Sequence, residues 1–157
     1  MDWQSRRVLV TGAGGFIGSH LVEALLNQRA QVRAFVRYNS RGEIGLLSLL
    51  PSEKQDMLDI VAGDLRDFDA LAQACDGVTH VFHLGALIAI PYSYLHPREV
   101  VETNVLGTLN VLLAARQAGI ERVIHTSTSE VYGTAQTVPI SEDHSLQGQS
   151  PYSASKI

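Results

Sequence analysis

The feature that most constrains the fold is a glycine-rich loop near the start of the chain. Its sequence is Thr-Gly-Ala-Gly-Gly-Phe-Ile-Gly over residues 11–18, between the apolar run 8–10 and an amphipathic stretch, 20–28. Glycines stand there at every third position, where a strand turns sharply, its backbone approaches a pyrophosphate and a helix packs closely. The helix N-terminus would then bind phosphate, which an ordinary tight βα turn does not do. The residues expected to contact a dinucleotide cofactor are Gly12, Gly15, Phe16, Ile17 and Gly18.

Apolar, β-branched runs alternate with helical patterns along the rest of the chain. The predicted strands are 8–10, 31–36, 57–62, 78–84 and 122–126. Between them we expect a short helix at 44–50 and a long one at 97–118. The apolar residues with which the long helix would cover the sheet are Val100, Val101, Val105, Leu106, Leu109, Leu112 and Leu113. This order predicts an α/β fold, a Rossmann-like doubly wound parallel sheet of about five strands.

Composition fits one globular domain and argues against two kinds of partner. The chain has 157 residues, of which 45% are hydrophobic and 18% charged, enough for a sizeable core. A net charge of −4 and a pI of about 5.8 would attract neither nucleic acid nor an anionic membrane. The first apolar run is too short for a signal peptide or a membrane span, so we expect a cytoplasmic protein.

The end of the second strand bears on the choice of cofactor. In an NAD site, an acidic residue about 20 residues beyond the glycines binds the ribose hydroxyls, whereas an arginine accommodates the 2′-phosphate of NADP. This chain has Val36 and Arg37 at that point and no acid. Arg37, helped by Ser40 or Arg41, therefore favours NADP over NAD, with a solvated loop arginine as the alternative.

Two further strand ends are expected to contact the cofactor. Asp64 and Leu65 follow the third strand. Because Asp67 is the better N-cap for the next helix, Asp64 stays free to meet an adenine amino group. The fourth strand runs into small residues that let backbone lie against the cofactor. The segment concerned is Leu84, Gly85 and Ala86.

Four residues have side chains that could bind a metal, react or hydrogen-bond, but the sequence indicates no catalytic role for them. His80 and His83 lie three apart on a strand, so their side chains point to opposite faces, and no metal site is expected. Cys75, the single cysteine, lies in an apolar helix pattern typical of a packed side chain. Asn104 lies within an apolar helix face, where a buried amide needs partners. It either hydrogen-bonds the loops of the active site or only anchors the helix.

A polar cluster ends the fifth strand, and a Tyr-x-x-x-Lys pair follows it. Thr128, Ser129 and Glu130 stand where ligands bind, and Tyr152 and Lys156 fall on one face of a helix. A tyrosine acts as a base only when its pKa is brought near neutrality, which takes about 4 kcal/mol for about three units. A unit charge about 4 Å away supplies about that much at an effective dielectric of ~20. Lys156 and an oxidised nicotinamide would provide it, so the set can deprotonate an alcohol while its carbon gives up hydride.

In order, these motifs resemble the N-terminal half of an extended short-chain dehydrogenase/reductase. The resemblance rests on the glycine loop and on residues 63–67, 127–133 and 152–156, and it covers essentially the whole chain. Within that family, residues 87–94 and 146–151 are most similar to bacterial nucleotide-sugar 4,6-dehydratases. The similarity is greatest to the N-acetylglucosamine-nucleotide enzymes of legionaminic and related nonulosonic acid synthesis.

The resemblance implies a nucleotide-sugar substrate that Thr128, Tyr152 and Lys156 oxidise at C4. It also implies removal of the C5 proton by Glu130, loss of the C6 hydroxyl and return of hydride to C6, so the cofactor is not consumed. Many dehydratases carry Asp where this chain has Ser129. Which acid protonates the departing hydroxyl therefore stays open. Decarboxylation, 4-epimerisation and a cofactor-binding module without turnover are the alternatives.

The length of family members gives a last expectation. They continue well beyond this point with residues that complete the sheet and supply most of the sugar-nucleotide site, and at full length they are homo-oligomers. We therefore expect 1–157 to be an incomplete dinucleotide-binding Rossmann domain without the C-terminal substrate domain. Its fifth strand would then be an open edge.

Overall fold

A parallel sheet of five strands forms the centre of the computed structural model, which describes residues 2–157. The strands are β1 (Arg7–Thr11), β2 (Gln31–Arg37), β3 (Asp59–Gly63), β4 (His80–His83) and β5 (Arg122–His125). Their order in the sheet is β3-β2-β1-β4-β5. Chain connections leave β1 and β4 in opposite directions across the sheet, which opens a crevice at their carboxyl ends. The predicted Rossmann-like α/β fold is confirmed.

Helices flank the sheet on both faces. They are α1 (Phe16–Asn27), α2 (Ser52–Gln55), α3 (Phe68–Cys75), α4 (Ile90–Leu95), α5 (Pro97–Val101), α6 (Gly107–Gln117) and α7 (Pro151–Ala154). The apolar piece expected as a helix at 44–50 forms a 3-10 helix, Gly45–Leu49, and α4 was not expected at all. Within residues 2–157, no helix has the length and apolar character that a membrane crossing needs.

Each face of the sheet carries its own core, and β1 contributes to both. Val8 and Val10 are fully buried on the face that α1 covers, where they join Val22 and Leu26. Leu9 is fully buried on the other face, in the cluster that α3 and α6 cover. A strand buried on both faces is a continuous apolar run rather than an alternating one. This double burial fixes the end of β1, and therefore the glycine loop that follows it.

The expected long helix at 97–118 is continuous, but its type and its buried face differ from the prediction. A π-helical turn, Glu102–Leu106, joins α5 to α6. Small or polar residues of this helix face the core. At Gly107 the helix backbone comes so close that an added Cβ would lie 2.8 Å from Leu65 Cβ. Because the helix approaches the core through these residues, most of its large side chains point away. The residues wrongly expected to cover the sheet are Val101, Val105, Leu106, Leu109 and Leu112, which are 44–49% exposed.

Candidate functional site

A cleft of about 810 Å³ lies at the carboxyl ends of the strands. It has the size typical of a ligand or cofactor site. Most of the residues predicted from the sequence line it: Gly12, Gly15, Phe16, Ile17, Gly18, Arg37, Leu84, Gly85, Ala86, Thr128, Tyr152 and Lys156. The fold therefore brings the glycine loop and the Thr, Tyr and Lys of the proposed chemistry to one cleft.

The glycines of the loop are required by close backbone contacts. Gly12 has a φ of +69°, and an added Cβ would lie 2.8 Å from the Gly85 nitrogen. A Cβ on Gly18 would lie 2.2 Å from the Gly12 carbonyl oxygen, so α1 packs directly on the loop. Gly15 is the N-cap of α1 and has extended backbone, with φ −79° and ψ 175°. These contacts confirm the predicted sharp turn and close helix packing.

The N-terminus of α1 fits a phosphate group. No side chain caps this helix, and its first residues, Phe16, Ile17 and Gly18, line the cleft. The first backbone N–H groups of a helix lack intrahelical acceptors, and the helix dipole favours negative charge there. An anion in the cleft would therefore meet backbone donors without needing a basic side chain.

The segment after β2 packs over the loop and was missed by the sequence reasoning. Gly14 leaves no space for a side chain, since an added Cβ would lie 2.7 Å from the Ile44 carbonyl oxygen. The Gly14 carbonyl also accepts a hydrogen bond from the Leu46 nitrogen at 2.9 Å. Asn39 shapes this segment, because its Oδ1 accepts from the Glu43 nitrogen at 2.9 Å. An asparagine next to a glycine-containing turn is the signal that could have identified this wall of the cleft.

A smaller cavity of about 140 Å³ adjoins the cleft at Asp64 and Leu65. Asp67 caps α3, accepting from the Ala70 nitrogen at 3.1 Å, as predicted. Asp64 is not free of partners as expected, because Arg66 holds its carboxylate, and its contact with an adenine amino group stays a prediction. Arg66 Nη2 lies 2.6 Å from Asp64 Oδ2, and Arg66 Nε lies 2.9 Å from Oδ1. This contact lowers the pKa of Asp64 to about 2.

His83 connects three elements beneath the cleft, namely β4, β1 and α6. From the sequence, only a metal role had been excluded for this residue. Its Nδ1 lies 2.7 Å from Thr11 Oγ1, and its Nε2 lies 3.0 Å from Thr108 Oγ1. Thr11 Oγ1 also accepts a hydrogen bond from the Gly85 nitrogen at 3.1 Å. A neutral imidazole donates at one nitrogen and accepts at the other, which suits two hydroxyl groups. His83 therefore fixes the loop after β4 against β1 and α6.

This environment makes His83 a source of acid sensitivity. Burial, together with the nearby His125 and Lys156, lowers the pKa of His83 from 6.5 to about 3. Between these pH values the unfolded chain binds a proton that the folded chain does not bind. Folding stability is therefore unaffected by His83 above about pH 6.5 and falls below it, by at most ~1.4 kcal/mol per pH unit.

We expect His83→Asn to flatten the pH dependence of stability between pH 7 and pH 5, whatever it does to stability at pH 7. The measurement is the free energy of unfolding in urea at both pH values. The control is His20→Asn, at an exposed histidine of α1, which should keep the wild-type slope. Equal slopes for the wild type and His83→Asn would contradict the assignment.

The residues after β5 divide between the cleft and its surroundings. Thr128 lines the cleft and is the N-cap of a 3-10 helix, Ser129–Tyr132. Its Oγ1 accepts from the Glu130 nitrogen at 3.3 Å, which places Glu130 directly beside it. The side chains of Ser129 and Glu130 are exposed and lie outside the cleft lining. Both remain accessible to a ligand that extends from the cleft.

Helix α7 presents Tyr152 and is strongly capped. Ser150 Oγ accepts from the Ser153 nitrogen at 3.0 Å, and Ser153 Oγ accepts from the Ser150 nitrogen at 2.8 Å. Pro151 occupies the first helical position, where it is favoured. Tyr152 is 9% exposed and lines the cleft, so its ring is held by packing.

Asn104 connects this helix to the loop after β4. Its Nδ2 donates to the Leu87 carbonyl and to Ser155 Oγ, both at 2.9 Å, and its Oδ1 accepts from the Leu87 nitrogen at 2.8 Å. Of the two open interpretations, the structure supports hydrogen bonding to the loops of the candidate site. Ser127 Oγ adds a contact of 3.2 Å to the Lys156 carbonyl.

Burial also shifts the pKa values of two further groups, Lys156 and Cys75. Burial lowers the pKa of Lys156, which lines the cleft, and the charge of Lys156 in turn helps to lower the pKa values of His83 and His125. Burial raises the pKa of Cys75 to about 11, so this thiol stays protonated, as expected of a packed side chain. Within residues 2–157, no group of three or more His, Cys, Asp or Glu side chains is placed to hold a metal ion.

Known proteins share this sequence and architecture. The profile of the family described as GDP-mannose 4,6 dehydratase matches residues 9–157. UDP-glucose 4-epimerase from Mycolicibacterium smegmatis is 38% identical over 153 residues, 96% of this chain and 48% of the relative. Among solved structures, a similar fold is found in UDP-N-acetylglucosamine 4-epimerase from Methanobrevibacter ruminantium M1, solved with UDP-N-acetylmuramic acid. The TM-score is 0.86 and the identity 33%, over 98% of this chain and 47% of the epimerase chain. DesIV, the dTDP-glucose 4,6-dehydratase of Streptomyces venezuelae solved with NAD, has a TM-score of 0.80 at 36% identity over 96% and 48%.

The sheet and its glycine-loop cleft define a Rossmann-like dinucleotide-binding domain of the short-chain dehydrogenase/reductase type. The chain belongs to the GDP-mannose 4,6-dehydratase family, within the nucleotide-sugar epimerases and dehydratases. It spans about half the length of the curated relatives it matches, 48% of the mycobacterial epimerase for example.

Proposed function

We propose that the protein is an NAD(P)-dependent nucleotide-sugar 4,6-dehydratase that acts on UDP- or GDP-linked N-acetylglucosamine, as in legionaminic acid synthesis. One observation carries the proposal. A single cleft contains the glycine loop together with Thr128, Tyr152 and Lys156, and Glu130 stands directly beside Thr128. Oxidation followed by elimination requires a loop that binds the cofactor, residues that activate an alcohol, and an accessible carboxylate.

The residues of the cleft divide the oxidation between them. Tyr152, as a phenolate stabilised by the ammonium group of Lys156, takes the proton of the C4 hydroxyl and becomes a phenol. Thr128 holds the same hydroxyl by a hydrogen bond. When bound, the nicotinamide cofactor supplies hydride acceptance and return. The cleft fits this cofactor because the glycine loop and the N-terminus of α1, which no side chain caps, line it and offer backbone donors to its phosphates.

Elimination is the role proposed for Glu130. A ketone at C4 acidifies the proton at C5, and a carboxylate beside it can remove that proton. The hydroxyl at C6 then departs with a proton from an acid, which Ser129 helps to position. Glu130 is exposed, so it can meet the part of the sugar that lies beyond the Thr128 side chain.

We also propose that the cofactor is preferentially NADP, with NAD accepted. The proposal rests on Arg37, which lines the cleft at the end of β2, and on the absence of an acid at that strand end. NAD is the dinucleotide named for the solved dehydratase relative, so a preference for NADP would distinguish this chain from it.

The second candidate function is 4-epimerisation, which needs the same oxidation but no elimination. It is favoured by the several relatives that carry epimerase names, the mycobacterial enzyme among them. Glu130 favours the dehydratase, because 4-epimerisation does not require removal of the C5 proton. Decarboxylation of a uronic acid sugar nucleotide is a third outcome, since it can use the same Thr-Ser-Glu segment.

The product distinguishes these functions. We expect the full-length protein, given NADP and UDP- or GDP-N-acetylglucosamine, to form a 4-keto-6-deoxy sugar with loss of one water, seen by mass spectrometry and NMR. We propose that the region equivalent to the second half of the relatives supplies the sugar subsite, and that the protein forms a homo-oligomer. A C4 epimer without loss of water would support the second candidate and contradict the dehydratase. Release of CO₂ from a uronic acid derivative would support the third.

A further inference from the structure

A group of charged side chains surrounds the place where the cleft meets the smaller cavity. Arg37 lines both spaces, so it lies at their junction. Asp64 and Arg66, which follow β3, line the smaller cavity, as does Thr103 of the π-helical turn. Glu99, in α5, reaches the same junction, because its carboxylate faces Arg37. Two carboxylates, Asp64 and Glu99, are therefore candidates to act on Arg37.

Arg66 neutralises the first of these carboxylates. Both oxygens of Asp64 accept from the Arg66 guanidinium, at 2.6 and 2.9 Å. The pair has no net charge, although it still faces other charges of the junction, with Arg37 near Asp64 and with Glu99 and Glu102 near Arg66. Glu99 remains as the carboxylate that determines what Arg37 can do.

Glu99 faces Arg37 and is held in place. Its Oε1 lies 3.9 Å from Arg37 Nη2. Its Oε2 accepts a hydrogen bond from the Tyr92 hydroxyl of α4. The Glu99 side chain is 29% exposed whereas that of Arg37 is 69% exposed, so the carboxylate is the more confined partner. At 3.9 Å the two charges attract without a direct hydrogen bond, which leaves the arginine donors available.

We propose that Glu99 is a specificity-determining residue that limits the preference of this site for NADP. The inference rests on the proposed function, in which Arg37 receives the 2′-phosphate of the cofactor. A phosphate that approaches Arg37 comes close to a confined carboxylate of the same sign. Glu99 therefore offsets part of the attraction by Arg37 for NADP, while NAD, which lacks this phosphate, is unaffected.

The expected size of the effect follows from the charges. One unit charge facing a phosphate of about two charges, at about 5 Å and partly in water, changes affinity by about five- to tenfold. Salt screens such an interaction, so the effect should shrink as ionic strength rises from about 0.01 to 0.15 M. Tyr92 acts through Glu99, so its effect should have the same direction and a smaller size.

Calorimetric titration of the full-length protein with NAD and with NADP tests the proposal without any turnover. Glu99→Gln should tighten NADP binding about five- to tenfold and change NAD binding less than about twofold. Tyr92→Phe should tighten NADP binding to a smaller extent. Arg37→Ala should weaken NADP binding and leave NAD unchanged. The matched control is Glu102→Gln, which removes a nearby carboxylate whose partner is Arg98, at 2.7 Å.

The outcomes separate the inference from the function on which it rests. A ratio of NADP to NAD affinity that stays constant in Glu99→Gln, or that rises equally in Glu102→Gln, overturns the role of Glu99 alone. An equal increase in NAD and NADP affinity in Glu99→Gln also overturns the role of Glu99. If the wild type binds neither dinucleotide, the proposed function fails, and this inference fails with it.

Discussion

Gly18→Ala should sharply reduce binding of either dinucleotide, because the added methyl group has nowhere to go. Its Cβ would lie 2.2 Å from the Gly12 carbonyl oxygen and 2.9 Å from the Ala13 Cα, and both are backbone atoms. A flexible side chain could turn away, but here α1 itself must move off the loop. Overpacking of this kind costs about 1–3 kcal/mol, or about 10- to 100-fold in affinity if the bound geometry is what suffers.

The measurement is calorimetric affinity for NAD, combined with thermal unfolding to separate local from global damage. Gly119→Ala is the matched control, since its φ is +65° but its Cβ would meet nothing within 4 Å. An alanine there should lower stability by about 1 kcal/mol because of its left-handed backbone. It makes no clash, so NAD affinity should stay unchanged. Wild-type affinity in Gly18→Ala would show that the loop tolerates displacement of α1.

The sheet was predictable because its signals are local. Each strand is an apolar run closed by turn residues, and parallel order follows from the helices that alternate with the strands. The buried face of α6 was not predictable in this way. Leu106 and Leu109 have the apolar character of core residues but are exposed, while Gly107 packs against Leu65. A π-helical turn changes which residues share a face, and its presence has no simple sequence signature.

The glycine loop and the Tyr-x-x-x-Lys pair were predictable because their residue types at fixed spacing have a direct chemical meaning. The contacts between distant residues were not. His83 and Thr11 are adjacent only because β4 pairs with β1 in this register. The Asp64 carboxylate was expected to be free because a sequence does not show that Arg66 turns back onto it. Charge pairing and strand register become visible only once the chain is folded.

Tyr152→Phe in the full-length protein should remove oxidation at C4 while cofactor binding is retained. Tyr152 is held by α7 packing, and its ring is 9% exposed, so loss of one hydroxyl leaves the cleft shape intact. Loss of a positioned general base costs about 10²- to 10⁴-fold in rate. Absorbance of the reduced cofactor in a single turnover measures the oxidation step, and calorimetry measures cofactor affinity. Oxidation at the wild-type rate would assign the base to another group.

Glu130→Gln should separate the two halves of the same reaction. Because Glu130 lies outside the cleft lining, its amide should not disturb Thr128, Tyr152 or Lys156. The variant should therefore oxidise C4 at close to the wild-type rate but fail to exchange the C5 proton with deuterated solvent. Loss of water should fall by about 10²-fold or more, as expected when a general base is removed. Glu142→Gln provides the control, because it removes an exposed carboxylate from the following loop, outside the cleft lining. Normal dehydration by Glu130→Gln would show that another base takes the C5 proton, whereas loss of oxidation as well would place Glu130 in the first step.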